Sequence, residues 1–225
     1  MKTKDQWTTK AIVEPNTGKY YRKYFFKNQP AHRIVIDTPK AVILAGYRLI
    51  EKDLRCAIMW LSHIKEQLKD EPSFIDPIGS VETPNKEIFT IMKGLFVASL
   101  TFYGKCFATC EGRKVKLEKT NLDRKFQEEH ANAIEYRHNY AAHSGAKKLE
   151  QAVTILALDK KKESNPYFGH ELYQPDLISL DDLKRFVRLF EHAKDLTDKK
   201  IELLSDKVYE EDILPKGSDY WYSKT

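Results

Sequence analysis

The residues best able to do chemistry lie together in one stretch, Glu135-Tyr136-Arg137-His138-Asn139-Tyr140-Ala141-Ala142-His143-Ser144-Gly145. The apolar residues ahead of it (Leu122, Phe126, Ala133, Ile134, Ala141) recur at helical spacing and predict a third helix running on to Gly145, which suits a C-terminal cap. On that helix His130 and Arg137 fall on the core-facing side. An arginine keeps its charge wherever it sits, so a core-facing Arg137 needs a carboxylate, a second-subunit cleft or an anionic ligand. His143 follows about 9 Å along the axis and roughly 120° around it. That is too far for a direct bond, but both side chains can converge on one group in a groove. A guanidinium to hold phosphate oxygens and an imidazole to move a proton make a reasonable phosphate site. The plainer reading has Arg137 bridging a core carboxylate and His143 capping a helix C-terminus, where a cation favours the dipole.

The segment Arg137-His138-x-x-x-x-His143 resembles the R-x(4–6)-H motif of the HEPN superfamily, all-α domains that include many RNases of toxin–antitoxin, abortive-infection and CRISPR systems. His138 fills the polar position after the arginine, and Ala142-His143-Ser144-Gly145 matches the usual ending of the motif. The specific likeness covers about eleven residues. The bare pattern also occurs at Arg124/His130 and Arg185/His192, which is about what nine arginines and seven histidines produce by chance. Those two pairs have Lys125 and Phe186 after the arginine and neither stands at a helix end.

The resemblance implies a metal-independent endoribonuclease with no cofactor. Two protomers would pair so that both motifs face one cleft. His143 would act as general base or acid in attack of the RNA 2′-OH on the adjacent phosphate. Arg137 would bind that phosphate, and His138 would orient it. Tyr140 is expected to pack in the core rather than to stack a base. The implied partners are an RNA substrate, a second copy of the chain, and an antitoxin or defence-system protein. A different class of function stays open: a non-catalytic helical interaction protein, such as an antitoxin, an immunity partner or a degenerate HEPN module.

Other constellations are weaker. Glu135-x-x-His138 is half of a di-iron motif, but no second Glu-x-x-His exists. His130, His138 and His143 share no helical face, which argues against a zinc triad. Cys106 and Cys110 sit four apart on an apolar helix and read as core. Cys56 likewise reads as a small core residue in a reducing compartment. His170 has no spacing that assigns it a role.

The elements that must position the motif are mostly helices. Thr38-Pro39 is a start signal, with Thr as cap and Pro at the first helical position. Ile43, Tyr47, Ile50, Leu54, Ala57, Leu61, Ile64 and Leu68 then form a heptad-like seam. That helix is expected to end near Asp70, ahead of Pro72, at roughly 31 residues and about 45 Å. A seam this long needs a partner from this chain or from a second copy. Thr83-Pro84 opens a second helix. One stripe carries Ile88, Ile91, Leu95, Ala98, Phe102 and Cys106, and another carries Phe89, Met92, Phe96, Tyr103, Phe107 and Cys110. Two stripes predict a central helix. Residues 112–119 read as a polar linker, and Thr120 with Asp123 as the start of the third helix. QAVTILAL and FGHELY read as a hairpin near 151–175. Ser179 with Asp182 caps a last helix to about Tyr209.

The first 37 residues carry eight basic against three acidic groups, so the whole formal charge of +5 sits there. They also carry Trp7, Tyr20, Tyr21, Tyr24, Phe25 and Phe26. KAIV and KYYRKYFF flank Pro15-Asn16-Thr17-Gly18, which is turn chemistry for a hairpin. Basic residues interleaved with rings suit a nucleic-acid strand. The plainer expectation is a hairpin with its rings on the body and its lysines in water.

The fold expected is mainly α: a helical bundle with long antiparallel helices plus two small β-hairpins. Its parts are an N-terminal hairpin extension (1–37), a HEPN-like helical domain (38–215) and an aromatic tail (216–225). The Tyr220-Trp221-Tyr222 cluster of that tail docks either on the body or on a partner. At 225 residues the chain can bury a core of its own. No apolar run approaches the ~18 residues of a membrane span, and no apolar leader opens the sequence, so the expected address is the cytoplasm.

Overall fold

In the computed structural model, which describes residues 6–18, 20–70, 86–138, 151–161, 163–173 and 180–224, the start signal at Thr38-Pro39 acts as expected. Helix α1 spans Pro39–Asp70, and the Thr38 hydroxyl accepts the Ala41 N–H at 3.3 Å. The expected seam is buried from Ile50 to Leu68, while Tyr47 is half-buried and Ile43 exposed. Helix α2 covers Lys86–Cys106; its Thr83-Pro84 start signal lies outside the described residues. Helix α3 covers Gln127–Arg137 and helix α4 Leu180–Lys207, with the Ser179 cap outside the described residues.

The protein is mainly helical, with two small antiparallel sheets. The first has three strands, β1 (Trp7–Val13), β2 (Tyr20–Phe26) and β3 (Gln29–Ala31), in that order. The second pairs β4 (Gln151–Ala157) with β5 (Tyr167–Tyr173). The N-terminal hairpin was expected, but its third strand was not. Lys27 and Asn28 both take positive φ (48° and 63°), which closes a two-residue turn and returns the chain along β2.

By chain contacts the molecule divides into two compact units. Met1–Val42 with Leu203–Thr225 is one and Ile43–Glu202 is the other. In the first unit, Thr38 donates to Asp212 Oδ2 at 2.5 Å and Lys40 donates to Asp212 Oδ1 at 2.8 Å. Beyond α4 the backbone widens into π-type turns over Val208–Ile213, tightens over Leu214–Lys216, and ends in the short helix α5, Gly217–Tyr222. The last helix therefore stops at Lys207 and continues as irregular turns.

The second unit holds the hydrophobic core. Met92, Phe96, Leu100, Tyr103 and Cys106 of α2 are buried together with the α1 seam and with Leu183, Phe186, Leu189 and Phe190 of α4. Helix α2 touches three neighbours. Phe102 meets Trp60 of α1 edge-on at 4.9 Å between ring centres. Tyr103 stacks on Phe190 of α4 at 4.1 Å, and Phe96 meets Tyr136 of α3 at 6.3 Å. Its two expected stripes are not equally buried. Met92, Phe96 and Tyr103 lie inside, whereas Ile88 and Ile91, which open the other stripe, are exposed.

Two local expectations are corrected. The third helix does not begin at Thr120. Lys119–Asn121 and Arg124–Phe126 form separate 3₁₀ turns first. The Asn121 side chain accepts the Glu118 N–H at 2.8 Å, so the reciprocal cap sits two residues earlier than Thr120/Asp123. Residues 112–119 are not a solvated linker either, because Arg113 and Leu117 are buried. Cys106 is buried as expected, while Cys56 and Cys110 are half-buried, and all three are free thiols. No helix among the described residues is long and apolar enough to cross a membrane.

Candidate functional site

Helix α3 is short, and its inner face is set by His130 and Ala133, with Ile134 half-buried beside them. His130 is fixed by a hydrogen bond between Tyr103 Oη and its Nδ1 at 2.9 Å, and its ring lies 4.4 Å from that of Phe107. Burial and then the charge of Lys119 lower its pKa, so it stays neutral; burial pushes the Tyr103 phenol up. Tyr136 packs edge-on against Phe186 at 5.8 Å.

Arg137 ends the helix one turn after Ala133. Its stem lies across Gly104 of α2: a Cβ on that glycine would stand 2.9 Å from Nε and would overlap Cδ. The missing side chain on α2 thus leaves the space the guanidinium arm occupies. Arg137 is half-buried, as a core-facing position implies, and no carboxylate among the described residues forms an ion pair with it. His138 follows immediately, exposed, with its N–H turned back to the carbonyls of Ile134 and Glu135. His143 and Tyr140 lie outside the described residues, together with the Gly145 end signal. Of the three candidate catalytic residues, two are placed: Arg137 and His138, adjacent on the last turn of α3.

The competing matches to the same motif are occupied by structural work. His130 of the Arg124 pair is the buried partner of Tyr103. Arg185 pairs with Asp182 one turn back on its own helix. His192 Nε2 accepts the Asp123 N–H at 3.2 Å, and its ring stacks on Phe126 at 4.4 Å. His170 bonds Thr154 across its own hairpin at 3.2 Å and meets Phe168 edge-on.

The sequence reading missed one charged cluster. Asp53 of α1 is wholly buried beside Leu54, with Lys52 Nζ at 2.8 Å, Lys105 Nζ at 3.1 Å and the buried Arg113 NH1 at 3.9 Å. Arg113 also donates to the Lys105 carbonyl at 2.5 Å. The carboxylate oxygens and Arg113 Nε have charges nearby but no well-directed hydrogen bond among the described residues. The cluster ties the segment after α2 to α1. Its sequence signal was an aspartate next to a seam leucine. The Cys106 thiol, pushed up to about 12 by burial first and Asp53 second, remains protonated. Among the described residues no group of three His, Cys, Asp or Glu side chains is placed to hold a metal ion.

Fold and site together define a mainly helical protein with an arginine held half-open at the end of a short helix. Comparison with family models, with curated proteins and with solved structures finds no match.

Proposed function

We propose that the chain is a metal-independent endoribonuclease of the HEPN type, acting in a bacterial toxin–antitoxin or phage-defence setting. The observation that carries this reading is Arg137: half-buried, lodged against Gly104, and without an ion-pairing carboxylate among the described residues. A cation so placed suits a phosphate better than it suits the core. In this reading the long helices pack antiparallel as a bundle, and two copies bring their motifs to one cleft. His143 takes the proton from an RNA 2′-OH, whose oxygen bonds to phosphorus. The bond to the 5′-oxygen breaks, and that oxygen leaves with a proton from His143 of the partner subunit. The products are a 2′,3′-cyclic phosphate and a 5′-OH. Arg137 neutralises charge on the phosphoryl oxygens, and His138 orients the phosphate from solvent.

The test is incubation with total RNA in EDTA, beside Arg137→Ala and His143→Ala. Cleavage by the wild type, with loss of at least about 100-fold in each variant, is expected. A second reading, a non-catalytic helical interaction protein, is favoured by the exposed apolar side chains of the second hairpin, Leu156, Tyr167 and Phe168. A folded, dimeric wild type that cleaves no RNA selects it.

A further inference from the structure

We propose that the exposed face of the N-terminal sheet binds single-stranded nucleic acid by stacking its bases. Strand alternation puts Tyr20, Arg22, Tyr24 and Phe26 on one face of β2. The register sets Trp7 opposite Phe26, and Thr9 opposite Tyr24. This face is open: Trp7 is 49% exposed, Tyr20 60%, Tyr24 36% and Phe26 37%. The opposite face, with Ile12, Tyr21 and Phe25, is half-buried. The expectation of packed rings therefore fails for the open face.

The open face runs into a cleft of about 680 Å³. Trp7 and Phe26 line it from the sheet and Trp221 and Tyr222 from the C-terminal segment of the same unit, with Lys27 at its edge. Trp221 is held by its Nε1–H donating to the Ile213 carbonyl at 3.1 Å. A neighbouring cleft shares Trp7 and adds Tyr24 and Arg33.

Charge chooses the occupant. The three strands carry Lys10, Arg22 and Lys23 and no acidic residue. On the open face Arg22 stands between Tyr20 and Tyr24, while Lys10 and Lys23, opposite each other in the register, belong to the other face with Ile12, Tyr21 and Phe25. The charged groups of the open face and its two clefts, Arg22, Lys27 and Arg33, are all cationic, so a polyanion complements them and a second copy of the face does not. Rings two residues apart along a strand are roughly 6.8 Å apart. That is twice the spacing of bases along one strand of a duplex, so the face suits unstacked bases of a single strand.

The inference is independent of the cleavage reading, because binding is read without turnover. The full-length Arg137→Ala chain is titrated into fluorescein-labelled oligouridylate and oligothymidylate, followed by anisotropy, with a labelled duplex alongside. Both single strands are expected to bind more tightly than the duplex, and more weakly as salt rises. Trp7→Ala and Tyr20→Ala, each added to that background and checked for folding by circular dichroism, are expected to weaken binding about fivefold to a hundredfold. Tyr20 is the safer of the two, being the more exposed. Equal binding of duplex and single strand overturns the proposal, as does unchanged affinity in both folded variants. So does a change in sedimentation without a change in nucleic-acid binding, which assigns the face to a protein contact.

Discussion

At the scale of single residues, His130 shows how burial fixes chemistry. Its imidazole bonds Tyr103 Oη at 2.9 Å inside the core, with both groups neutral. Burial, then Lys119, lowers its pKa below the ordinary 6.5. The unfolded chain therefore takes up a proton at higher pH than the folded one. It follows that stability falls as pH drops through about 6.5, and that the loss ends once the folded imidazole is protonated as well. Thermal melts of the wild type are expected to fall between pH 8 and about 5.5, a window in which carboxylates contribute little. In His130→Gln that slope should shrink, although its melt at pH 8 will be lower because the Tyr103 contact is rebuilt imperfectly. A variant with an undiminished slope would mean that another group sets it.

At the scale of elements, Gly104 governs how α2 and α3 meet. In Gly104→Ala the new Cβ overlaps the Arg137 arm. The overlapping atoms belong to the far end of a flexible side chain, so the arm moves and the helices need not. Alanine also favours the helix by about 1 kcal/mol. The expected outcome is a melting temperature within a few degrees of wild type with RNA cleavage reduced about tenfold or more, read in the same EDTA assay. Wild-type cleavage by a folded Gly104→Ala chain would show that Arg137 does not work from this position. The sequence announced some of these elements and concealed others, for physical reasons. Helix α1 was legible because Thr38-Pro39 fixes its start and the seam from Ile50 to Leu68 has one period throughout. The β4–β5 hairpin was legible from its β-branched run. Strand β3 was not, because Lys27 takes a positive φ where glycine would have signalled the turn. The start of α3 was misplaced because the capping chemistry near Thr120 serves a separate 3₁₀ turn, Lys119–Asn121, while α3 itself begins after Phe126 with no side-chain cap to announce it. Arg113 was read as linker charge, since only tertiary contact with Asp53 reveals that it is buried. At the candidate site, the inward direction of Arg137 was readable from helical spacing, whereas its seat on Gly104 depends on a helix crossing that no local pattern encodes.

At the scale of the whole molecule, the question is whether one copy suffices. The α1 seam no longer asks for a second chain, because α2 and α4 bury it. The proposed dimer now rests on the proposed cleavage chemistry, which needs one group to take a proton and another to give one while a cation holds the phosphate. A single motif offers Arg137, the exposed His138 and His143, and two motifs facing each other supply the acid and the base together. Equilibrium sedimentation at micromolar concentration is expected to give about twice the chain mass of 26.3 kDa. If dissociation disables the site, cleavage per chain should fall steeply on dilution through the dissociation range, whereas a self-contained site would keep a constant rate per chain. A monomer that cleaves RNA would overturn the shared cleft and leave the arginine's role standing. A monomer that cleaves none would remove both, and would leave the N-terminal sheet to be judged by its own binding measurement.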